Sequence, residues 1–506
     1  MRQTKKSNLL SALGLIVIAS AWHCPGTALC AIISWIGCIL LCHGLPRASN
    51  PYKSMYLAGV ALNAIGFYWL FFTIRDFGGF HNFFAVSIFA FYLLASALQF
   101  VVFVFVWKNL PLFFHRHSLA LATAWMAAET LSIRIFPWFL GHSQLAYIKL
   151  AQTADLAGVL PISFIMLWLS DSLITAFRTR RLPAGQALAV LLFFSLNLYG
   201  NKREQQFLTA EYPLQNVALI QANISLEEKH NLLLPIVNLQ RYIELTKEVQ
   251  EKGSLIIWPE SVITDFISSK LTHVSEEPLG RLPFYQGSSL ILGSLTYQSE
   301  LIYHNSAIAV APDGAIAGIY HKQILMPFGE FTPFSNILPW LKDINATAGE
   351  FTAGNEITVF SLPYSGEQSL YVSPLICYED VVPELSWAAA KKGAQVLVNL
   401  TNDAWFGNTI APYQHHLIAA FRAIENRRYL LRSTNTGLTA IVNPIGQTIS
   451  QLEPYSEGVL KEDIRLIDFS PPSHNFNYSK FFKIISSIVL ILALLNWRRR
   501  RRAGKK

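Results

Sequence analysis

The sequence predicts a multi-span α-helical membrane domain of eight helices plus an α/β domain inserted before the last of them. Three observations lead there. Of the 506 residues, 52% are hydrophobic and 14% charged, and the mean hydropathy is +0.33, too apolar for an ordinary soluble enzyme. The apolar residues are unevenly spread: the first 200 residues form a series of long apolar runs, whereas Tyr212 to Ser470 alternates short strands, helices and polar loops. Basic charge gathers at the two ends, beside apolar segments. The expected boundaries are 1–211 for seven spans, 212–470 for the α/β domain, and 471–506 for the eighth span and a basic tail. A domain of about 255 residues is long enough to bury a full core.

Taken in order, Leu9 to Leu41 is too long for one span and is broken by Pro25-Gly26, so it divides into Leu9–Trp22 and Thr27–Cys42. A cleaved signal peptide is the rival for the first, opposed by the continuing hydrophobicity and the lack of a small-x-small site. Further spans are expected at Met55–Ile74, Phe83–Trp107, Ser118–Ile133, Leu156–Phe177 and Leu182–Tyr199. The last, Phe481–Trp497, is short and carries Lys483 at its edge, where it can snorkel. With the N-terminus inside, the inside loops carry Arg47 and Lys53, Lys108 and Arg116, and Arg178, Arg180 and Arg181. The outside connections carry chiefly Arg75, Arg134 and Lys149. Eight spans with both termini cytoplasmic best satisfies the positive-inside rule, and it puts 212–470 on the outer face.

The net charge of +8 raises nucleic acid as a partner, but its location argues against one. Ten basic residues lie in the two tails, leaving the rest of the chain at net −2, with no basic patch interleaved with aromatics. Of the five cysteines, Cys24, Cys30, Cys38 and Cys42 fall in the first apolar region at spacings that fit no common zinc pattern, so apolar packing is expected of them. Cys377 is the one thiol of the α/β domain and has no disulfide partner there.

Cys377 lies where a strand, Leu370-Tyr-Val-Ser-Pro374, gives way to a helix from Val381 to Gly393. Such a turn can expose a nucleophile beside backbone N–H donors; a buried structural thiol is the alternative. Ser254-Leu-Ile-Ile-Trp-Pro-Glu260 is a short buried strand ending in a carboxylate, which alone could be a solvated loop residue. Lys322 and Glu330 flank a Pro-Phe-Gly turn, and Lys322 alone could be an ordinary surface lysine. Together they supply what acyl transfer through a thiol requires. Glu260 takes and returns the proton, provided burial raises its pKa. Lys322 and a backbone N–H stabilise the oxyanion, and Glu330 orients Lys322. Tyr378 and Glu379 stand behind the thiol in a supporting position. A Cys–His pair using His415 or His416 is a second possibility, disfavoured because adjacent side chains do not face one site.

Trp258-Pro-Glu260, Tyr320-His-Lys322, Pro327-Phe-Gly-Glu330, Ile376-Cys-Tyr-Glu379 and Asn399-Leu-Thr-Asn-Asp-Ala-Trp-Phe-Gly407 resemble the Glu–Lys–Cys pattern of the nitrilase, or carbon–nitrogen hydrolase, superfamily. Joined to eight spans, this domain is similar to the apolipoprotein N-acyltransferase family. The resemblance extends to Glu129, Arg134, Phe136-Pro-Trp138 and Gly141-His-Ser-Gln144, and departs at His142, where the family usually has Tyr. It implies an α-β-β-α sandwich with Glu260, Lys322 and Cys377 at strand ends. It also implies ping-pong transfer, through a Cys377 thioester, of a phospholipid sn-1 acyl chain, from phosphatidylethanolamine in the first place. The acceptor is the α-amino group of a diacylglyceryl-cysteine at an apolipoprotein N-terminus, in the bacterial inner membrane. That chemistry needs no metal or diffusible cofactor, and nothing in it requires more than a monomer.

Both substrates are lipids, so an apolar mouth is expected. The apolar segment Phe331–Leu341 with Trp340, and the pair Trp405 and Phe406, are assigned to that entrance or a lid over it; packing against the sandwich is the alternative. Glu129 with Arg134 reads as a structural ion pair or interfacial anchor, and Asp171 within the sixth span has no assigned role. Two other functions keep to the same residues. A membrane-tethered amidase would pass the acyl group to water or another amine through a small polar pocket. A lipid-binding or transport protein with an inactive outer domain would be favoured if any of the three triad residues were missing; none is.

Overall fold

The computed structural model describes residues 2–503, apart from 232, 250, 276–286, 328, 333–334, 336, 338, 340–349 and 365–367. Trp340 therefore lies outside the described residues. The chain divides into two units: one of residues 1–71, 81–209 and 471–506, the other of 72–80 and 210–470.

The first unit is helical. Among the described residues, four helices are long and apolar enough to cross a membrane: Ala28–Arg47, Asn82–Asn109, Leu160–Thr179 and Tyr478–Ala503. A fifth is reached if Pro51–Gly66 and Trp69–Asp76, bent by 63° at their junction, count as one span. Of the eight expected spans, about four are met by length and apolarity alone. Lys6–Ala21 and Leu119–Leu131 are apolar helices but too short for the same test, and Ala184–Thr209 ends in a polar run from Asn201. Helices 2–21 and 28–44 lie close enough that a Cβ on Gly14 would come within 2.6 Å of the Leu41 amide, the small-residue packing that membrane helices use in place of a hydrophobic drive. Glu129 and Arg134 serve the loop that follows them. Glu129 accepts from the Leu140 amide at 2.7 Å, while the Arg134 guanidinium donates to the carbonyls of Glu129 and Trp138 and stands over the Phe139 ring. His142 accepts from the Phe139 amide at 2.9 Å, so the departure from Tyr there is a local loop contact.

The second unit holds two sheets. One joins β1 (Leu214–Gln221), β2 (Leu255–Ile257), β3 (Ile263–Ser268), β4 (Ser289–Ser299), β5 (Ile302–Val310), β6 (Ile316–His321) and β13 (Gly458–Arg465), in the order β13-β1-β2-β4-β5-β6, with β3 on β4. The other runs β12-β11-β10-β9-β8-β7, from β7 (Phe360–Pro363), β8 (Ser369–Ile376), β9 (Val396–Thr401), β10 (Tyr429–Thr434), β11 (Thr439–Val442) and β12 (Thr448–Leu452). The strands β2 and β9 are buried along their whole length and pair in parallel with both neighbours, and β10, equally buried, is parallel to β9 and antiparallel to β11. The sheets face one another: Ser433 on β10 donates to the carbonyls of Ile220 and Ile257, and Thr434 to Gln221. Helix 235–247 covers the first sheet, whose core gathers Tyr242, Trp258, Ile256 and Leu292. Helices 383–391 and 411–426 cover the second, completing four layers.

Candidate active site

β2, β6 and β8 each end just before one of the three residues singled out by the sequence. Beyond β2 the Pro259 carbonyl still accepts from the Gly293 amide of β4 at 3.0 Å, Glu260 follows it, and Ser261 turns the chain with φ +51°. This turn runs against β4 at Gly293, where a Cβ would meet the Pro259 carbonyl and Ser261 amide at 2.5 Å. Gly293→Ala therefore has to push the Glu260 segment away. It is expected to destabilise the domain by about 1–3 kcal/mol and to cut turnover more than tenfold, measured as thermal unfolding and acyl transfer of the same preparation. Unchanged turnover would show that Glu260 tolerates displacement.

Beyond β6, Lys322 is pinned on both sides: its amide donates to the Asn305 carbonyl at 2.8 Å and its own carbonyl accepts from Gly354 at 2.8 Å. Its ammonium is 2% exposed and reaches Glu260 Oε1 at 3.3 Å and Glu330 Oε2 at 2.9 Å. Burial alone would depress this lysine, but Glu260 and Glu330 outweigh it and hold it well above the usual lysine range. Asn305 on β5 spends its amide group on the same pair, donating to Glu260 Oε1 at 2.8 Å and Glu330 Oε1 at 2.7 Å. Glu330 is completed by the Met326 amide at 2.8 Å. Glu260 Oε2 is buried with no hydrogen-bond partner among the described residues, an acceptor left open for a proton.

Cys377 follows β8 with φ +53°, left-handed backbone that a non-glycine residue adopts only when its surroundings impose it. The turn Cys377–Val381 then leads into helix 383–391. Glu379 fixes this geometry. Its buried carboxylate accepts from the Ile376 amide at 2.7 Å, the Tyr320 hydroxyl at 2.9 Å, the Gln323 amide at 2.7 Å and the Ile324 amide at 3.1 Å. One carboxylate thus ties the cysteine turn to the lysine turn. Tyr378 beside it is half-buried. Burial pushes the Cys377 thiol well above its ordinary range and Glu260 adds to the push, while Lys322 and a hydrogen bond from Thr401 oppose it. A thiol in this setting rests protonated and needs a base at hand to become a nucleophile.

The structure brings Glu260, Lys322, Glu330 and Cys377 into one electrostatic neighbourhood and gives Glu379 a supporting contact. It removes His415 as a base. Both ring nitrogens face carboxylates, Nε2 to Asp380 at 2.7 Å and Nδ1 to Asp403 at 3.2 Å, so both carry protons and no lone pair is left. Burial lowers its pKa and the two aspartates outweigh that, raising it to about 9. His416 turns elsewhere, to Thr448 at 2.8 Å. Trp405, 37% exposed, and the half-buried Phe406 lie on the turn 403–406. Two further residues join the site unannounced. Asn305 belongs to His304-Asn-Ser306, a polar run within an otherwise apolar strand, which is a usable signal. Lys229 donates to the Glu260 carbonyl at 3.3 Å, and burial lowers its pKa to about 8, with Glu260 and Cys377 opposing; nothing in its local sequence marks it.

This arrangement of acid, amine and thiol at three strand ends meets the comparisons with known proteins. A family model described as Carbon-nitrogen hydrolase matches residues 216–470, and one described as Apolipoprotein N-acyltransferase N-terminal domain matches residues 14–171. The chain is 28% identical to the apolipoprotein N-acyltransferase of Geobacter metallireducens, over 91% of this chain and 90% of that one. It is 31% identical to that of Bradyrhizobium diazoefficiens, over 76% and 74%, and 30% identical to that of Methylococcus capsulatus, over 88% and 87%. The chain belongs to the apolipoprotein N-acyltransferase family, and its 216–470 segment to the carbon–nitrogen hydrolases.

Proposed function

We propose that this chain moves an acyl group from a phospholipid onto Cys377 and then onto the α-amino group of an N-terminal S-diacylglyceryl-cysteine of apolipoproteins. The observation that carries the reading is the unpartnered Glu260 Oε2 beside a buried ammonium and a thiol held up by burial. In the first half, Glu260 takes the thiol proton as Sγ attacks the ester carbonyl, and the oxyanion forms against Lys322 and a backbone N–H of the turn. Collapse breaks the C–O bond, and Glu260 returns the proton to the departing lysophospholipid. In the second half the amine nitrogen attacks the thioester, Glu260 takes its proton, and the C–S bond breaks to leave an amide and the thiol. Glu330 and Asn305 hold Lys322 and Glu260 in register throughout. Each step uses residues of one chain, so a monomer suffices.

Phosphatidylethanolamine, through its sn-1 chain, is the proposed donor. Trp405 and Phe406, with Trp340, are proposed to border the lipid mouth, in keeping with Trp405 being 37% exposed on its turn. The proposed setting is the bacterial inner membrane, with both termini cytoplasmic and residues 212–470 periplasmic, in keeping with the basic loops. Eight spans then require Lys6–Ala21, Leu119–Leu131, Ala184–Thr209 and the bent pair to cross with the four longer helices.

Mass spectrometry of the full chain after incubation with phospholipid alone tests the chemistry. A hydroxylamine-labile acyl adduct on Cys377, absent from Cys377→Ala, is the expected result. A folded enzyme with no adduct would rule out this donor and turn attention to an amidase acting on a small amide.

A further inference from the structure

One polar amide stands within the buried strand β9, in the run Val396-Leu-Val-Asn-Leu-Thr401. Asn399 is fully buried and lies opposite Leu375 in the parallel register of β8 and β9. That pairing stops at Ile376, opposite Leu400, one residue before the nucleophile. From there the Asn399 side chain takes over. Its Nδ2 donates to the Cys377 carbonyl at 3.0 Å and to the Leu375 carbonyl at 3.3 Å. Both partners can only accept, so the amide nitrogen has to face them. Its Oδ1 is buried with no hydrogen-bond partner among the described residues. A buried oxygen left unsatisfied costs the fold, so what Asn399 contributes lies in its two donors.

Two peptide groups bracket the nucleophile. The Leu375–Ile376 peptide is gripped at both ends, its carbonyl by Asn399 and its N–H by Glu379 Oε2 at 2.7 Å. The Cys377–Tyr378 peptide, which follows the left-handed φ of +53°, is gripped by Asn399 at its carbonyl. A trans peptide is planar, with its C=O and N–H pointing opposite ways. A carbonyl drawn onto β9 therefore turns the N–H of the same peptide away from β9. We propose that Asn399 is a positioning residue for the oxyanion: by holding the Cys377 carbonyl, it aims the N–H of the Cys377–Tyr378 peptide at the carbonyl oxygen of the acyl group under attack.

Asn399 acts through the backbone, and its task differs from that of Glu379. The Glu379 carboxylate ties the cysteine turn to the lysine turn, whereas Asn399 sets the rotation of the peptide after the nucleophile. Without that hold, the peptide can rotate about the Cys377 φ and ψ and relieve the left-handed backbone, which carries the N–H off the oxyanion.

This role rests on Cys377 accepting an acyl group, so the test compares two reactions at that sulfur, of which one builds an oxyanion. With p-nitrophenyl butyrate, Sγ adds to the ester carbonyl through a tetrahedral oxyanion; the C–S bond forms, the C–O bond breaks and p-nitrophenolate leaves. With methyl methanethiosulfonate, Sγ attacks sulfur; an S–S bond forms and methanesulfinate leaves, with no oxyanion. Glu260 takes the thiol proton in both. The full chain in detergent is treated with each reagent, and the Cys377 peptide is followed by mass spectrometry. Asn399→Leu, close in volume, is expected to acylate about a hundredfold more slowly than the parent, while thiolation stays within about threefold. Asn399→Ala carries the same comparison if Asn399→Leu does not fold. Each change replaces a neutral side chain with a neutral one, so neither rate shifts through loss of a charge. A side chain that merely holds the fold would lower the unfolding temperature and leave the ratio of the two rates at its parental value. The proposal is overturned if the folded variant acylates within about threefold of the parent, or if both reactions slow by the same factor. A parent acylated by the ester but not by phospholipid would overturn the donor reading alone, and a parent thiolated but acylated by neither would overturn both.

Discussion

Lys322→Met is expected to lower acyl transfer at least a thousandfold and to destabilise the domain by about 3–5 kcal/mol. The two losses have different causes. Removing a donor aimed at a developing oxyanion costs on the order of 10²–10³ in rate, and disordering Glu260 adds to it. The stability loss comes from the partners: Glu260 and Glu330, bridged by Asn305, would keep two carboxylates in a buried site with no cation between them. Lys322→Met with Glu330→Gln separates these effects. Deleting the second carboxylate is expected to restore at least half the lost stability and none of the activity. Lys322→Arg keeps the charge but puts a planar, longer group into a site whose two contacts are 2.9 and 3.3 Å, so it is expected to fold and turn over poorly. Thermal unfolding and single-turnover thioester formation on one set of preparations read both quantities. More than a tenth of parental activity in Lys322→Met would remove the lysine from the oxyanion.

Part of this site was legible because the sequence concentrates its chemistry at strand ends. Trp258-Pro-Glu260 and Ile376-Cys377 each follow an apolar run, and a run that stops in a charged or nucleophilic residue marks an edge where that side chain can leave the sheet. Lys322 and Glu330 were legible as a pair around a turn. Asn305 was harder, since an amide within a strand reads as a defect until its two acceptors are known. Lys229 could not have been found, because its partner is a backbone carbonyl contributed 31 residues away. His415 was set aside as a base on the adjacency of His416 alone, and the stronger reason, a carboxylate on each of its ring nitrogens, is not visible in the sequence. In the helical unit, hydropathy located the segments, but segment length decides spanning, and several helices end sooner than their apolar runs. Pro25-Gly26 was a sound break because glycine takes the φ of +73° that other residues avoid.

Glu379→Ala is expected to abolish turnover by at least a hundredfold without removing any group that touches substrate. Four buried donors converge on this carboxylate, two from the chain after Lys322, one from Tyr320 and one from the strand that carries Cys377. Leaving a buried donor unpaired costs about 1–3 kcal/mol, and relief of the carboxylate's own desolvation offsets only part of four such losses. A net cost of roughly 4 kcal/mol places the variant among the most damaging single changes. Glu379→Gln is a graded control. Its carbonyl can serve Gln323 and Ile324, but its amide then faces the Ile376 N–H, donor against donor, while the Tyr320 hydroxyl can rotate to accept. That is one broken contact, at about 2 kcal/mol. Tyr320→Phe removes one donor to Glu379 and one acceptor for the Gln323 amide group, which keeps the Glu356 carbonyl at 3.2 Å, so about 1 kcal/mol is expected. The order Tyr320→Phe, Glu379→Gln, Glu379→Ala should appear in both unfolding temperature and turnover, because one carboxylate sets the distance between the lysine and cysteine turns. If stability falls in that order while turnover per folded molecule stays constant, Glu379 holds the fold together but does not align the two turns, and the alignment must come from the contacts between β8 and β9.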